Sequence, residues 1–400
     1  MHKHHSALGL AKALRPAEPV TCLRPHAARR AAAFFVERFP GTTMYAVKAN
    51  PSPALIVELW ESGIRTFDVA SLAEVRLVRG LLPEATLAFM HPVKSPEAIH
   101  EAYFTHGVRV FSLDSHDELA KIVTACQYAT DLTLCVRLRV SSAHAKLSLA
   151  SKFGVGLDEA PSLLQAARQA ADALGVCFHV GSQTMSPQAY SDAMALVRAA
   201  IVGAAVTVDV VDVGGGFPSV YPGMMPARLE AYFRVIGRMF EALPISYSAE
   251  LWCEPGRALC AEYASVVARV EKRRGDVLYI NDGAYGSLFD AAHVDWRYPV
   301  ALLRDVPSRA KTLDFSLYGP TCDDMDFMKG PFELPADVQA GDYVEFGMLG
   351  AYGAAMRTQF NGFGVGETAE LGDEPMATLY AEAEEVEPVV SNVVALRGSK

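Results

Sequence analysis

The sequence predicts an α/β protein: a (β/α)8 TIM-like barrel followed by a C-terminal mostly-β domain. Two patterns carry that expectation. Short apolar runs alternate with helical patterns through the first two thirds of the chain. After about Arg257 the long helical patterns stop, and strand-like runs punctuated by Gly and Pro take over. Length agrees, since a barrel of this kind absorbs about 250 residues and the chain has 400. The expected division is 25–262 for the barrel and 263–400 for the β domain, which the N-terminal segment 1–24 joins.

In chain order, barrel strands are expected at Thr43–Val47, Thr66–Val69, Thr86–Met90, Arg109–Phe111, Leu132–Leu138, Val176–Val180, Thr207–Val213 and Glu250–Cys253. Ser71 with Glu74, and Ser115 with Glu118, have capping-box spacing, so each opens a helix just after a strand. Ser95-Pro96 opens another, with proline at the first helical position. Eight β-then-α units close naturally into a barrel. Further strands are expected at Val266–Val270, Val277–Ile280, Asp314–Gly319, Tyr343–Phe346 and Val386–Val394. The acidic stretch Glu382–Glu387 reads as a solvated surface. The N-terminus, with His2, His4 and His5, reads as a frayed, solvated end. The small polar stretch Ser141–Ser151 reads as a mobile lid.

Composition narrows the function classes. Hydrophobic residues at 51% support a large core and exclude a disordered or fibrous chain. Lys and Arg number 36 against 46 Asp and Glu, a net charge of −10 without basic blocks, which argues against nucleic acid and anionic membrane surfaces as partners. No apolar run reaches the roughly 18 residues of a membrane span, and Met1–Leu14 lacks a signal-peptide core. The cysteines, Cys22, Cys126, Cys135, Cys177, Cys253, Cys260 and Cys322, are odd in number and show no C-x-x-C spacing. Neither a disulfide framework nor a metal site is implied, and reduced thiols suit a cytoplasmic protein.

Barrel chemistry gathers at the C-terminal ends of the strands. Those ends carry Lys48, Asp68, His91, Arg137, His179, the Gly214-Gly215-Gly216 run and Glu254. A lysine at the mouth is partly desolvated, which lowers its pKa and frees an amine nucleophile; the competing reading is a lysine snorkelling to water. The glycine run suits an anion nest and lacks the spacings that bind dinucleotides or ATP; a tight turn is the alternative. In Glu254-Pro-Gly-Arg257 the arginine suits a phosphate, against an ordinary turn with a surface ion pair. In His179-Val-Gly-Ser182 an imidazole is placed to stack on a flat cofactor and a serine to hold phosphate, against a satisfied structural histidine. Cys322 is the candidate reactive thiol, with buried inert cysteine the alternative and the expected state of the other six.

Seven motifs occur in order: Tyr45-Ala-Val-Lys-Ala-Asn50, Phe67-Asp-Val-Ala-Ser71, His179-Val-Gly-Ser182, Asp212-Val-Gly-Gly-Gly-Phe-Pro218, Glu254-Pro-Gly-Arg257, Gly319-Pro-Thr-Cys-Asp323 and Phe360-Asn-Gly-Phe363. With them the chain resembles, from about residue 20 to about 365, the ornithine/diaminopimelate/arginine decarboxylases, pyridoxal-phosphate (PLP) enzymes of the alanine-racemase-like fold. Gly-Gly-Gly-Phe-Pro and Gly-Pro-Thr-Cys-Asp resemble the ornithine branch.

The resemblance implies roles. Lys48 would carry the cofactor covalently, Glu254 would meet the ring nitrogen, and His179 would stack on the ring. Ser182, Gly214, Gly215, Gly216, Gly256, Arg257 and Tyr352 would hold the phosphate, with Asp68 and Arg137 at the ring's other edge. Cys322, the proton donor to Cα, and Asp323 would enter from the partner subunit of a head-to-tail homodimer that Lys152 and Asp326 bridge. Asp290, Asp323 and Phe360 would contact substrate. Glutamate at position 254, where alanine racemases carry arginine, favours decarboxylation over racemisation. The implied reaction is L-ornithine to putrescine and CO2, a step of polyamine biosynthesis, with L-lysine to cadaverine left open. Lysine stays open because the segment from Tyr285 to Asp290 is shorter than in typical eukaryotic ornithine decarboxylases. Two other readings stand beside it. One is a decarboxylase of diaminopimelate or another diamino acid, whose branch shares Gln183 but has a Glu-Ser pattern where this chain has Cys322-Asp323. The other is a catalytically inactive regulatory homologue, a class that usually lacks the lysine or the cysteine.

Overall fold

The computed structural model describes residues 2–149, 151–364 and 366–380. Eight parallel strands form a closed barrel: β1 (Thr42–Ala46), β2 (Thr66–Val69), β3 (Thr86–Phe89), β4 (Val110–Leu113), β5 (Thr133–Arg137), β6 (Ala173–Cys177), β7 (Val210–Asp212) and β8 (Glu250–Cys253), with β8 pairing back onto β1. All eight expected strands are present. The largest displacement is at β6, which ends at Cys177 rather than Val180. Gly181, at φ +98°, turns the chain out of the sheet just beyond His179.

The helices start where capping chemistry dictates. Ser71, Ser95 and Ser115 accept hydrogen bonds from the backbone N–H groups of Glu74, Ala98 and Glu118, opening helices at Leu72, Pro96 and His116. The eighth β-then-α unit departs from the expected regularity. Its helix is one short turn, Arg257–Cys260, and helix Pro25–Arg38, which precedes β1, packs against it. Met44, Ala88, Met90, Val110, Cys135 and Cys177 fill the barrel interior, which is therefore a packed core and no channel.

Among the described residues the second sheet has nine strands. Its main path runs His2–His4, Glu367–Leu371, Val20–Leu23, Ala264–Arg274, Val277–Ile280, Thr312–Tyr318 and Phe327–Pro335, with Tyr343–Phe346 and Val300–Leu303 beside it. The N-terminus is thus not the frayed end expected. His2–His4 pairs in parallel with Glu367–Leu371, and helix Ala7–Leu14 buries Ala7, Leu10 and Ala11 against Val20, Val267 and Leu371. Arg24 locks this segment down: Nη1 donates to Ser265 Oγ at 2.7 Å and Nη2 to Glu345 Oε1 at 2.8 Å. The expected strand Val386–Val394 and the acidic stretch Glu382–Glu387 lie outside the described residues. No described helix is long and apolar enough to cross a membrane.

Candidate active site

The barrel mouth assembles the strand-end residues into one cavity of about 340 Å³, lined by Lys48, Asp68, His91, Arg137, His179 and Glu254 among others. Lys48 sits in the turn Val47–Ala49 that ends β1. Asp68, buried on β2, accepts from Lys48 Nζ at 2.6 Å. Burial acts to lower the Lys48 pKa, but the charges around it, Asp68 foremost, outweigh it, so the amine is raised above its ordinary range. The expectation of a lowered pKa is corrected: the Asp68 carboxylate at 2.6 Å favours the ammonium ion.

Glu254 follows β8 and is buried. Burial, then Asp212 and Asp68, push its carboxyl well above the ordinary range, against the pull of Lys48. Asp212, at the end of β7, is pushed up by burial to about 6. Two adjacent buried carboxyl groups resist ionising together, and the shared environment favours the proton on Glu254. His179 is held neutral by burial, Arg137 and Lys48. Its Nδ1 accepts from the Gly181 N–H at 3.0 Å, which puts the ring proton on Nε2.

The glycine run and Arg257 stand beside the mouth without lining the cavity. Gly214 and Gly216 take φ +67° and +101°, and a Cβ at Gly216 would stand 2.5 Å from the Gly181 carbonyl oxygen. At Gly256 a Cβ would meet that of Ala49 at 2.9 Å. Arg257 is buried; its Nη1 donates to the Tyr221 hydroxyl at 3.1 Å, while Nε and Nη2 have no hydrogen-bond partner. Tyr352 stacks on its guanidinium at 5.0 Å and donates its backbone N–H to the Ala49 carbonyl at 2.8 Å, tying this arginine to the Lys48 turn. Ser182 opens a short strand, Ser182–Thr184, paired antiparallel with Ala145–Leu147. The expected lid is therefore anchored at its centre, and its Ser148 and Leu149 line the cavity.

The family profile described as "Pyridoxal-dependent decarboxylase, pyridoxal binding domain" matches residues 26–261. The chain belongs to this family. The lysine/ornithine decarboxylase of Selenomonas ruminantium is 32% identical over 346 residues, which cover 83% of this chain and 84% of that one. The crystal structure of the Paramecium bursaria Chlorella virus arginine decarboxylase superposes with a TM-score of 0.81 at 27% identity, covering 90% of this chain and 98% of that one. The lysine/ornithine decarboxylase of Vibrio vulnificus, complexed with putrescine, gives 0.77 at 29% identity over 92% and 99% of the two chains.

The cofactor of this decarboxylase is PLP, and the site fits it. A buried arginine with two unpartnered donors faces phosphate chemistry, crowded glycines allow close backbone approach, and the cavity sets an amine, a carboxyl group and a neutral imidazole around one space.

Other expected residues of the decarboxylase stand elsewhere. Cys322, Asp323 and Phe360 are not among the residues lining the cavity. They form a separate cluster, made by the loop after strand Thr312–Tyr318 and the short turn Phe360–Gly362. Exposed Cys322 gives its backbone N–H and its thiol to Asn361 Oδ1 at 3.2 and 3.3 Å. Asp323 accepts from the Tyr285 hydroxyl at 2.5 Å, and Phe360 packs on Tyr285 with ring centroids 4.8 Å apart. Asp326 is 1% exposed within the chain and accepts from the N–H groups of Ala284 and Thr321 and from the Thr321 hydroxyl, which staples its own turn. Lys152 lines the cavity, over the Phe153 ring. Asp290, like Arg257, is not among the residues lining the cavity; its short helix, Phe289–His293, sets Oδ2 3.8 Å from Arg257 Nη2. Asp212, Tyr285 and Asn361 lie inside or beside motifs already visible in the sequence, yet had no part assigned. Tyr221 and Trp296, which flank Arg257, carry no sequence signal at all.

Proposed function

We propose that this decarboxylase converts L-ornithine to putrescine and CO2 and accepts L-lysine, giving cadaverine, as a homodimer in the cytoplasm. One observation carries the reading: a single cavity sets the Lys48 amine and the Glu254 carboxyl on adjacent strand ends. When bound, PLP supplies the electron sink that accepts the pair left on Cα as CO2 departs.

The chain's own residues do the rest. Lys48 anchors the cofactor and must first shed a proton, which Asp68 is placed to accept at 2.6 Å. Glu254 would meet the ring nitrogen of the bound cofactor and would supply its proton and counter-charge. Neutral His179 offers an uncharged flat face. Arg257 and the glycine cradle take the phosphate. The Cys322 thiol, exposed on one subunit, donates the proton to Cα in the neighbour's cavity, and Asp323 pairs with the distal ammonium of the substrate. A carboxylate left without that ammonium is costly, so amino acids with apolar side chains are rejected strongly. An inactive regulatory homologue fits less well, because both Lys48 and Cys322 are in place.

The experiment is kcat/KM for ornithine, lysine, arginine and diaminopimelate, read as CO2 and diamine released. Ornithine or lysine should lead the other two by about tenfold or more, the scale at which a fitted pocket discriminates by size. Tight PLP binding with no CO2 from any of the four would overturn the reading. A lead for arginine or diaminopimelate would reassign the substrate.

A further inference from the structure

The Asp290 carboxylate has a part to play beside Arg257. Its Oδ2 stands 3.8 Å from Arg257 Nη2, and it is the one carboxylate among the described residues within ion-pair reach of that guanidinium. Both side chains are largely withdrawn from water, at 13% and 3% exposure. The pair is held as a unit: the Trp296 ring stacks on the guanidinium at 4.3 Å, while the Trp296 backbone N–H donates to the Asp290 carbonyl at 3.1 Å. Yet Nε and Nη2 of Arg257 make no hydrogen bond. At this separation Asp290 compensates the buried charge while leaving the donors for a second anion.

We propose that Asp290 is a positioning residue that sets the affinity of the phosphate site, a fixed counter-anion with which the phosphate of the cofactor shares Arg257. The proposal rests on the reading that Arg257 binds that phosphate. Two anions on one guanidinium repel, so each weakens the other's hold reciprocally. The binding site accepts a looser grip on phosphate in return for a buried arginine that is never without a counter-charge.

The test titrates full-length protein with PLP, following the visible absorbance of the lysine-bound cofactor, and repeats the titration against inorganic phosphate as competitor. In Asp290→Asn both PLP and phosphate should bind about threefold or more tighter, as expected when a built-in competitor is removed. Unchanged or weaker binding overturns the proposal, since a merely structural role predicts loss. Asp290→Glu reaches closer to Arg257 and should loosen both ligands; unchanged or tighter binding there overturns it too, which covers the case of an Asn variant that does not fold. If wild-type protein shows no lysine-bound absorbance, the decarboxylase reading fails. If wild type shows it and neither variant moves as stated, the role of Asp290 alone fails.

Discussion

Lys48 and Glu254 were legible as mouth residues because each directly follows an apolar strand, and strand-end position alone aims a side chain at the mouth. Their protonation was not legible. It depends on Asp68 and Asp212, which lie on neighbouring strands and meet these side chains only once the barrel closes. Asp212 gives this a measurable sign. Burial raises its carboxyl from the ordinary 3.8 to about 6, so folding takes up a proton between those values. The stabilisation is fully present below about pH 4 and is lost as pH rises through about 6. Cofactor-free protein should therefore lose on the order of 1–3 kcal/mol across that window. In Asp212→Asn the loss should be much smaller. Thermal unfolding between pH 4 and 8 compares the two, and parallel profiles would remove Asp212 as the cause.

At the scale of elements, the barrel was readable because its strands are buried on both faces and its helices open with serine caps. The second sheet was only partly readable. Phe327–Pro335 contains Gly330 and Pro331, which read as breakers. His2–His4 and Glu367–Leu371 are short, and each finds its partner at the far end of the chain. A local pattern holds no trace of such a pairing. The N-terminal helix matters to stability all the same, because Leu10 is wholly buried against Val267 and Leu371. Leu10→Ala should cost about 2–4 kcal/mol, seen as a lower urea midpoint, with kcat per folded molecule unchanged. A shift within error would mean that the docked N-terminus contributes nothing to the fold.

At the scale of the whole molecule, the expected site residues fall into two groups. Cys322 and Asp323 form an exposed cluster, ordered by Asn361 and Tyr285, that the chain's own cavity does not include. Motif order showed that both halves exist; one chain's sequence carries no contact between copies. Likewise the shortened link to Asp290 was visible, but its destination at Arg257 was not, because Tyr221, Trp296 and Tyr352 converge there from distant segments. If the halves combine across a two-fold, mixing Lys48→Ala chains with Cys322→Ala chains should restore about a quarter of wild-type activity, since half the dimers are hybrids and each hybrid holds one intact site. No recovery would place each site within a single chain.

The measurement that goes most directly to the centre of this description is borohydride reduction of the PLP-loaded protein, followed by peptide mass analysis. The expected result is a phosphopyridoxyl mass on the peptide holding Lys48, and on no other. A label on the cavity's Lys152 or on the buried Lys94, or on no lysine at all, would contradict the assignment of Lys48 as the residue that holds the cofactor.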